Sequence, residues 1–153
     1  MDVHNSVTIA GDMFRVFTYA AQVDRWPEIL PHYRVVEVDQ PGELERVVSM
    51  HCVRDFGVVR WPCRWQARQT LRPDEAEIAY IHLSGPARGM SVLWRLVQTE
   101  AGVQTTIEHH MPAGRRWWRR VYFSRLVGPI FVSNIATKTL ATIKGIVERE
   151  SKL

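Results

Sequence analysis

The 153-residue chain carries 20 Lys plus Arg against 16 Asp plus Glu, a formal net charge of +4, with 46% hydrophobic and 24% charged residues. That is the size and make-up of one compact globular domain spanning residues 1–153, and it excludes wholesale disorder. No apolar run reaches the roughly 18–20 residues that span a bilayer, and the N-terminal segment lacks the basic and apolar parts of a secretory signal. A cytoplasmic protein is therefore expected. Cys52 and Cys63 are too few for a disulfide framework or a zinc site, so two free thiols and no metal are expected, and no organic cofactor is expected either. The absence of a glycine-rich phosphate loop and of a G-x-S-x-G elbow removes the usual support for nucleotide hydrolysis and α/β-hydrolase chemistry.

Residues 3–9 alternate and read as a first strand. Asp12 is placed to cap a helix over 12–21, in which Met13, Val16, Phe17 and Ala20 recur at helical spacing. Asp24 and Pro27 open a second short helix that Pro31 ends near Leu30. Six strands follow, over 33–40, 44–54, 58–71, 76–84, 89–99 and 103–111, with turn signals such as Pro41-Gly42 and Pro73-Asp74 between them. In 58–71, Trp61, Cys63, Trp65, Ala67 and Gln69 share one parity, and Arg60, Arg64, Gln66 and Arg68 the other. That is a strand with one wet face. From Trp117 to Glu150 the period becomes helical, with a stripe including Phe123, Ile130, Ile135, Thr139, Ile143 and Val147. The order predicts an α+β fold: a curved seven-stranded antiparallel sheet around a long C-terminal helix, with two short helices after the first strand.

The basic residues are unevenly placed. Residues 1–111 hold 11 Arg against 14 acids, whereas 112–153 hold 9 Lys or Arg against 2 acids. The excess centres on Arg115, Arg116, Arg119 and Arg120, which bracket Trp117 and Trp118. Positive charge at a helix start opposes the macrodipole. Three readings stand: a solvated helix start, a docking rim for an acidic partner, or contact with an anionic membrane surface. No nucleic-acid-binding motif accompanies the charge, and nucleic acid is not expected as a partner.

Several short matches in order resemble the START-like (Bet v 1-like) helix-grip superfamily, and within it the polyketide aromatase/cyclases of the tetracenomycin type. Trp26-Pro27 followed by Tyr33, Ser49-Met50-His51, Trp65-x-Ala67-x-Gln69, Met90-x-Val92-x-Trp94 and Asn134-Ile135 carry the resemblance. It implies the helix-grip fold, a deep hydrophobic cavity and cyclisation of a carrier-bound poly-β-ketone chain, the carrier being an acyl carrier protein. The same superfamily also holds non-catalytic lipid and ubiquinone carriers. The Arg that the family uses to polarise the poly-ketone falls on Gln69, and its nearby Ser on Ala67. Gln is neutral and lacks the charge with which a guanidinium steadies an enolate.

Aldol closure needs confinement, a proton donor to the carbonyl oxygen and a group that takes the C–H proton. Tyr33 is the candidate acid, and His109 the candidate base on the last strand. Gln69 and Asn134 are candidates for orienting carbonyls. Trp26, Ser49, Cys63, Trp65, Ala67, Met90 and Trp94 are the expected remainder of the substrate site. Each has a plain alternative, since Trp residues fill ordinary cores and adjacent histidines on a strand turn only one ring inward.

Overall fold

The computed structural model describes residues 1–55, 58, 60–112, 130 and 132–153. Its strands are β1 (Asp2–Ile9), β2 (Tyr33–Gln40), β3 (Glu45–Asp55), β4 (Arg60–Arg72), β5 (Glu77–His82), β6 (Ser91–Thr99) and β7 (Gly102–His110). Helices α1 (Met13–Ala21) and α2 (Trp26–Ile29) follow β1, and α3 (Ser133–Ser151) comes last among the described residues. The strands form one antiparallel sheet in the order β1-β7-β6-β5-β4-β3-β2, so β1 and β2 are its edges. This is the α+β arrangement the sequence predicts. The basic cluster Arg115, Arg116, Arg119 and Arg120 lies outside the described residues.

Local chemistry explains the N-terminal helices, with two departures. Asp12 occupies the position before α1, but its side chain makes no capping bond. Asp24 does not cap α2; it lies within a short 3₁₀ turn (Val23–Arg25) and meets Arg46 at 3.3 Å. Pro27 sits in the first turn of α2, where a missing N–H costs nothing, and the helix stops before Pro31 as expected.

The strands alternate as a sheet with one covered face requires. On β4, Cys63, Trp65, Ala67 and Gln69 are buried while Arg60, Arg64 and Arg68 are exposed. One register row crosses the sheet through Gln69, Tyr80, Val92 and His109, all on the covered face. The neighbouring row runs through Val48, Ala67 and His82. Gly85, with φ +89°, carries the β5–β6 connection across Trp65: a Cβ there would stand 2.8 Å from the Trp65 Cβ.

Helix α3 lies over this face and buries Ala136, Thr139, Leu140, Ile143 and Val147. Ile130, one position of the predicted stripe, is exposed, and the predicted helical stretch from Trp117 to Pro129 lies outside the described residues. The far end of α3 is clasped to the start of the chain. Lys144 Nζ donates to the Thr8 carbonyl (2.7 Å), the Ala10 N–H donates to Glu148 (3.0 Å), and Arg15 pairs with Glu150 (3.1 Å). Gly11 makes the approach close, because a Cβ there would fall 2.4 Å from the Val147 Cγ1.

Candidate functional site

Between the sheet and α3 lies a cavity of about 90 Å³. An aromatic arc forms its wall. Trp94 on β6 faces Trp26 at the start of α2 (ring centroids 6.1 Å apart), and Trp26 meets Tyr33 edge-on at 4.9 Å. Tyr33 meets Trp65 of β4 at 6.1 Å, and Trp65 stacks flat on His82 at the end of β5, 5.7 Å away with an interplanar angle of 3°. The Trp26 indole N–H donates to the Tyr19 carbonyl (2.9 Å), which ties that ring to α1. Met50 and Met90 fill the remaining wall, and Val132, Ile135, Ala136 and Thr139 close the cavity from the side of α3. Thr139 is hydrogen-bonded to His32 Nε2 at 2.9 Å.

Polar lining groups are few. Among the described residues they are Tyr33, Cys63, Tyr80, His82, His109 and Thr139, with no charged side chain. The Tyr80 hydroxyl is already engaged with the Gln69 amide (2.9 Å), and burial raises its pKa far above the ordinary phenol value, opposed in part by that bond. The histidines differ. Nδ1 of His82 and Nδ1 of His109 are both buried without a hydrogen-bond partner. Burial pushes His109 down to about 3, with a smaller contribution from the nearby His82, and burial alone pushes His82 down to about 4. Both rings are therefore neutral near pH 7.

A family profile described as polyketide cyclase/dehydrase and lipid transport matches residues 10–120. The chain belongs to that family. Among solved structures this family member is similar to the aromatase/cyclase ZhuI from Streptomyces sp. R1128 (23% identity, 99% of this chain and 95% of that one, TM-score 0.78). It is also similar to the di-domain aromatase/cyclase StfQ of the steffimycin biosynthetic pathway (19% identity, 99% of this chain and 52% of that one, TM-score 0.75). A third similar structure is a point mutant of norcoclaurine synthase from Thalictrum flavum in complex with a transition-state analogue (13% identity, 99% of this chain and 96% of that one, TM-score 0.71). Likeness at such identities speaks for the fold. The comparison with curated proteins finds no match.

In this cyclase/dehydrase family member, seven of the sequence-derived positions meet at the cavity: Trp26, Tyr33, Cys63, Trp65, Met90, Trp94 and His109. Four do not line it. Gln69 is fully buried, but its amide is spent: Oε1 accepts from Arg46 Nε (2.7 Å), and Nε2 donates to the Ala21 carbonyl (2.9 Å) and to Tyr80. The side chain braces α1 against the sheet and has no bond left for a ligand carbonyl. Ala67 is a single methyl between Val48 and His82 in its row. Ser49 is on the other parity of β3 and donates to Asp39 (2.5 Å). Asn134 is half-buried, whereas the cavity face of α3 uses Val132, Ile135, Ala136 and Thr139.

His109 stands where expected, but two observations oppose its use as a base. A group held near 3 is poorly matched to proton abstraction at neutral pH. Acceptance through Nε2 would also leave the proton on Nδ1, which has nothing to donate to. Sequence reasoning missed His82. The signal was available, since Ile78, Tyr80 and His82 alternate with period two and the first two are plainly core types.

Proposed function

We propose that the protein is a cofactor-independent cyclase/dehydratase that folds a polyketide-like, carbonyl-rich chain in this cavity. The observation that carries the reading is the aromatic arc closed by neutral polar groups. It offers apolar confinement together with Tyr33 and two imidazoles, and family membership supports a polyketide-like substrate. Confinement brings an activated methylene carbon against a ketone carbon, and the water-poor wall strengthens every hydrogen bond to the oxygen that gains charge. A C–C bond forms and the ketone oxygen becomes an alkoxide. Tyr33 gives that oxygen a proton, and the proton lost from the methylene carbon passes to water and returns to the Tyr33 phenolate, so that the step closes with no net proton change. Loss of the resulting hydroxyl with a neighbouring proton, as water, yields the unsaturated ring.

The cavity is smaller than the roughly 300–1,000 Å³ of sites that enclose drug-sized ligands. Binding of a long chain therefore goes with repacking of the flexible Met50 and Met90 side chains. Delivery by an acyl carrier protein through Arg115, Arg116, Arg119 and Arg120 is part of the same proposal.

One observation favours a second reading, a carrier for a quinone or lipid: Gln69 stands where a guanidinium is expected, and no charged side chain faces the cavity among the described residues. Incubation with a carrier-bound poly-β-ketone, followed by chromatography of the released products, separates the two. Cyclised, dehydrated product is expected, and Tyr33→Phe is expected to slow its formation by about 10- to 100-fold while ligand affinity stays nearly intact. A phospholipid or quinone co-purifying in native mass spectrometry, with no cyclised product, would overturn the enzyme reading.

A further inference from the structure

His82 belongs to no motif that the sequence singled out, yet it is among the most constrained polar groups at the cavity. It is the last residue of β5 and lies on the covered face with Ile78 and Tyr80. Its backbone is pinned on both sides, because its N–H donates to the Met90 carbonyl (2.9 Å) and its carbonyl accepts from the Gly89 N–H (2.9 Å). Its ring lies flat on Trp65, which fixes the ring plane. His109 approaches the same cavity from β7, on the row that includes Tyr80 and Val92.

The two rings share an unusual pattern. Nδ1 of each is shut away with no partner, and neither Nε2 makes a hydrogen bond among the described residues. A proton on Nδ1 would create a buried donor with nothing to bind. Orphaned buried N–H groups are rare, and under-satisfied acceptors are tolerated better. The proton therefore belongs on Nε2 of each ring, and Nε2–H is what each imidazole offers a cavity occupant. Both rings remain neutral because they are buried, and for His109 also because charge on His82 would repel charge on it.

We propose that His82 and His109 form a paired neutral-donor site whose two Nε2–H groups hold one carbonyl oxygen of the ligand. A carbonyl oxygen has two lone pairs and accepts two such bonds. As the carbonyl becomes an enolate or alkoxide, the bonds strengthen without any group in the site having carried charge beforehand. A neutral imidazole polarises a carbonyl in this way where a cation would need costly desolvation. The pair would do for this chain what an inward guanidinium would otherwise do. The inference rests on the reading above only in requiring a carbonyl-bearing ligand, a condition a quinone also meets.

The test has two arms. Ring nitrogen NMR of the full-length protein, ¹⁵N-labelled at histidine, reads the tautomers directly near pH 7. Neutral Nε2–H forms are expected at both positions, and an Nδ1–H form at His82 would overturn the proposal. The second arm uses acetophenone, ¹³C-labelled at the carbonyl, as the probe and follows its stretch by infrared difference spectroscopy. The bound band is expected below its position in hexane. His82→Phe and His109→Phe should each move it part of the way back and weaken binding by about tenfold. His82→Gln, which retains an N–H donor, should keep part of the shift. An identical bound frequency in the wild type and both Phe variants, or no binding of acetophenone, would sink the assignment. Loss of cyclisation activity with the carbonyl shift retained would instead count against the enzyme reading and leave the donor pair standing.

Discussion

Two ends of one sheet row make opposite use of buried polarity. At the β4 end, Gln69 and Tyr80 form a closed knot with Arg46 and the carbonyls of α1, in which each side of the Gln69 amide has a partner. At the β7 end, His109 presents a buried ring nitrogen with no partner, as does His82 at the end of β5. Gln69 is fully buried, His109 nearly so and His82 half-buried, and the difference that matters lies in satisfaction. A buried polar group with its bonds made rigidifies the fold, while one left unmade is held ready for a partner that arrives later. By this measure Gln69 serves as a brace, and the unpartnered imidazoles carry the proposed donor site.

The harshest way to break that contrast is Gln69→Arg, which restores the residue type expected from the family. It would set a second guanidinium beside Arg46 in a fully buried position, and a loss of more than about 4 kcal/mol in urea unfolding is expected, with no gain in cyclisation. A stable, more active Gln69→Arg protein would show that the knot is dispensable. Gln69→Leu, which removes one partner each from Arg46 and Tyr80 and leaves the Ala21 carbonyl with Arg46 alone, should cost about 2–4 kcal/mol.

Trp65→Ala acts on the imidazole side of the contrast, through the stack on His82. It should cost about 3–5 kcal/mol, and it should also weaken ligand binding by releasing the His82 ring from its stack. Unchanged binding would place Trp65 outside the working wall.

A smaller effect comes from the imidazoles through pH. Their folded-state values, about 4 for His82 and about 3 for His109, lie below the ordinary value of about 6.5. In that window the unfolded chain binds protons that the folded chain does not, so stability falls as pH drops from about 6.5 towards 4. His82→Phe and His109→Phe should each flatten the pH dependence of the urea midpoint between pH 7 and 4.5. An unchanged slope would mean that the rings are solvated. Least affected should be Ser49→Ala, with ligand affinity unchanged within about twofold, because its hydroxyl serves Asp39 on the outer face.

Much of this architecture was legible in residue order. Period-two alternation marks Cys63, Trp65, Ala67 and Gln69 as inward, and the structure agrees. What alternation does not encode is who answers an inward polar group. Arg46 is 23 positions from Gln69, and the Ala21 carbonyl 48. Only folding brings them together and turns a candidate ligand contact into a brace. Asn134 shows the same limit on a helix, where one residue's rotation away from Ile135 separates a half-exposed side from the cavity face. His82 was readable by parity and was overlooked because no motif drew attention to it.

The clasp between α3 and the chain start bears on how the protein is made. Its bonds join positions 135 to 138 residues apart, from Thr8, Ala10 and Arg15 to Lys144, Glu148 and Glu150. During synthesis the sheet is finished well before its lid is translated, and the aromatic arc stays an open, sticky trough until the last turns of α3 emerge and dock. Closure is thus a late, non-local event, the kind that slows folding and leaves apolar surface exposed to aggregation or to early capture of a ligand.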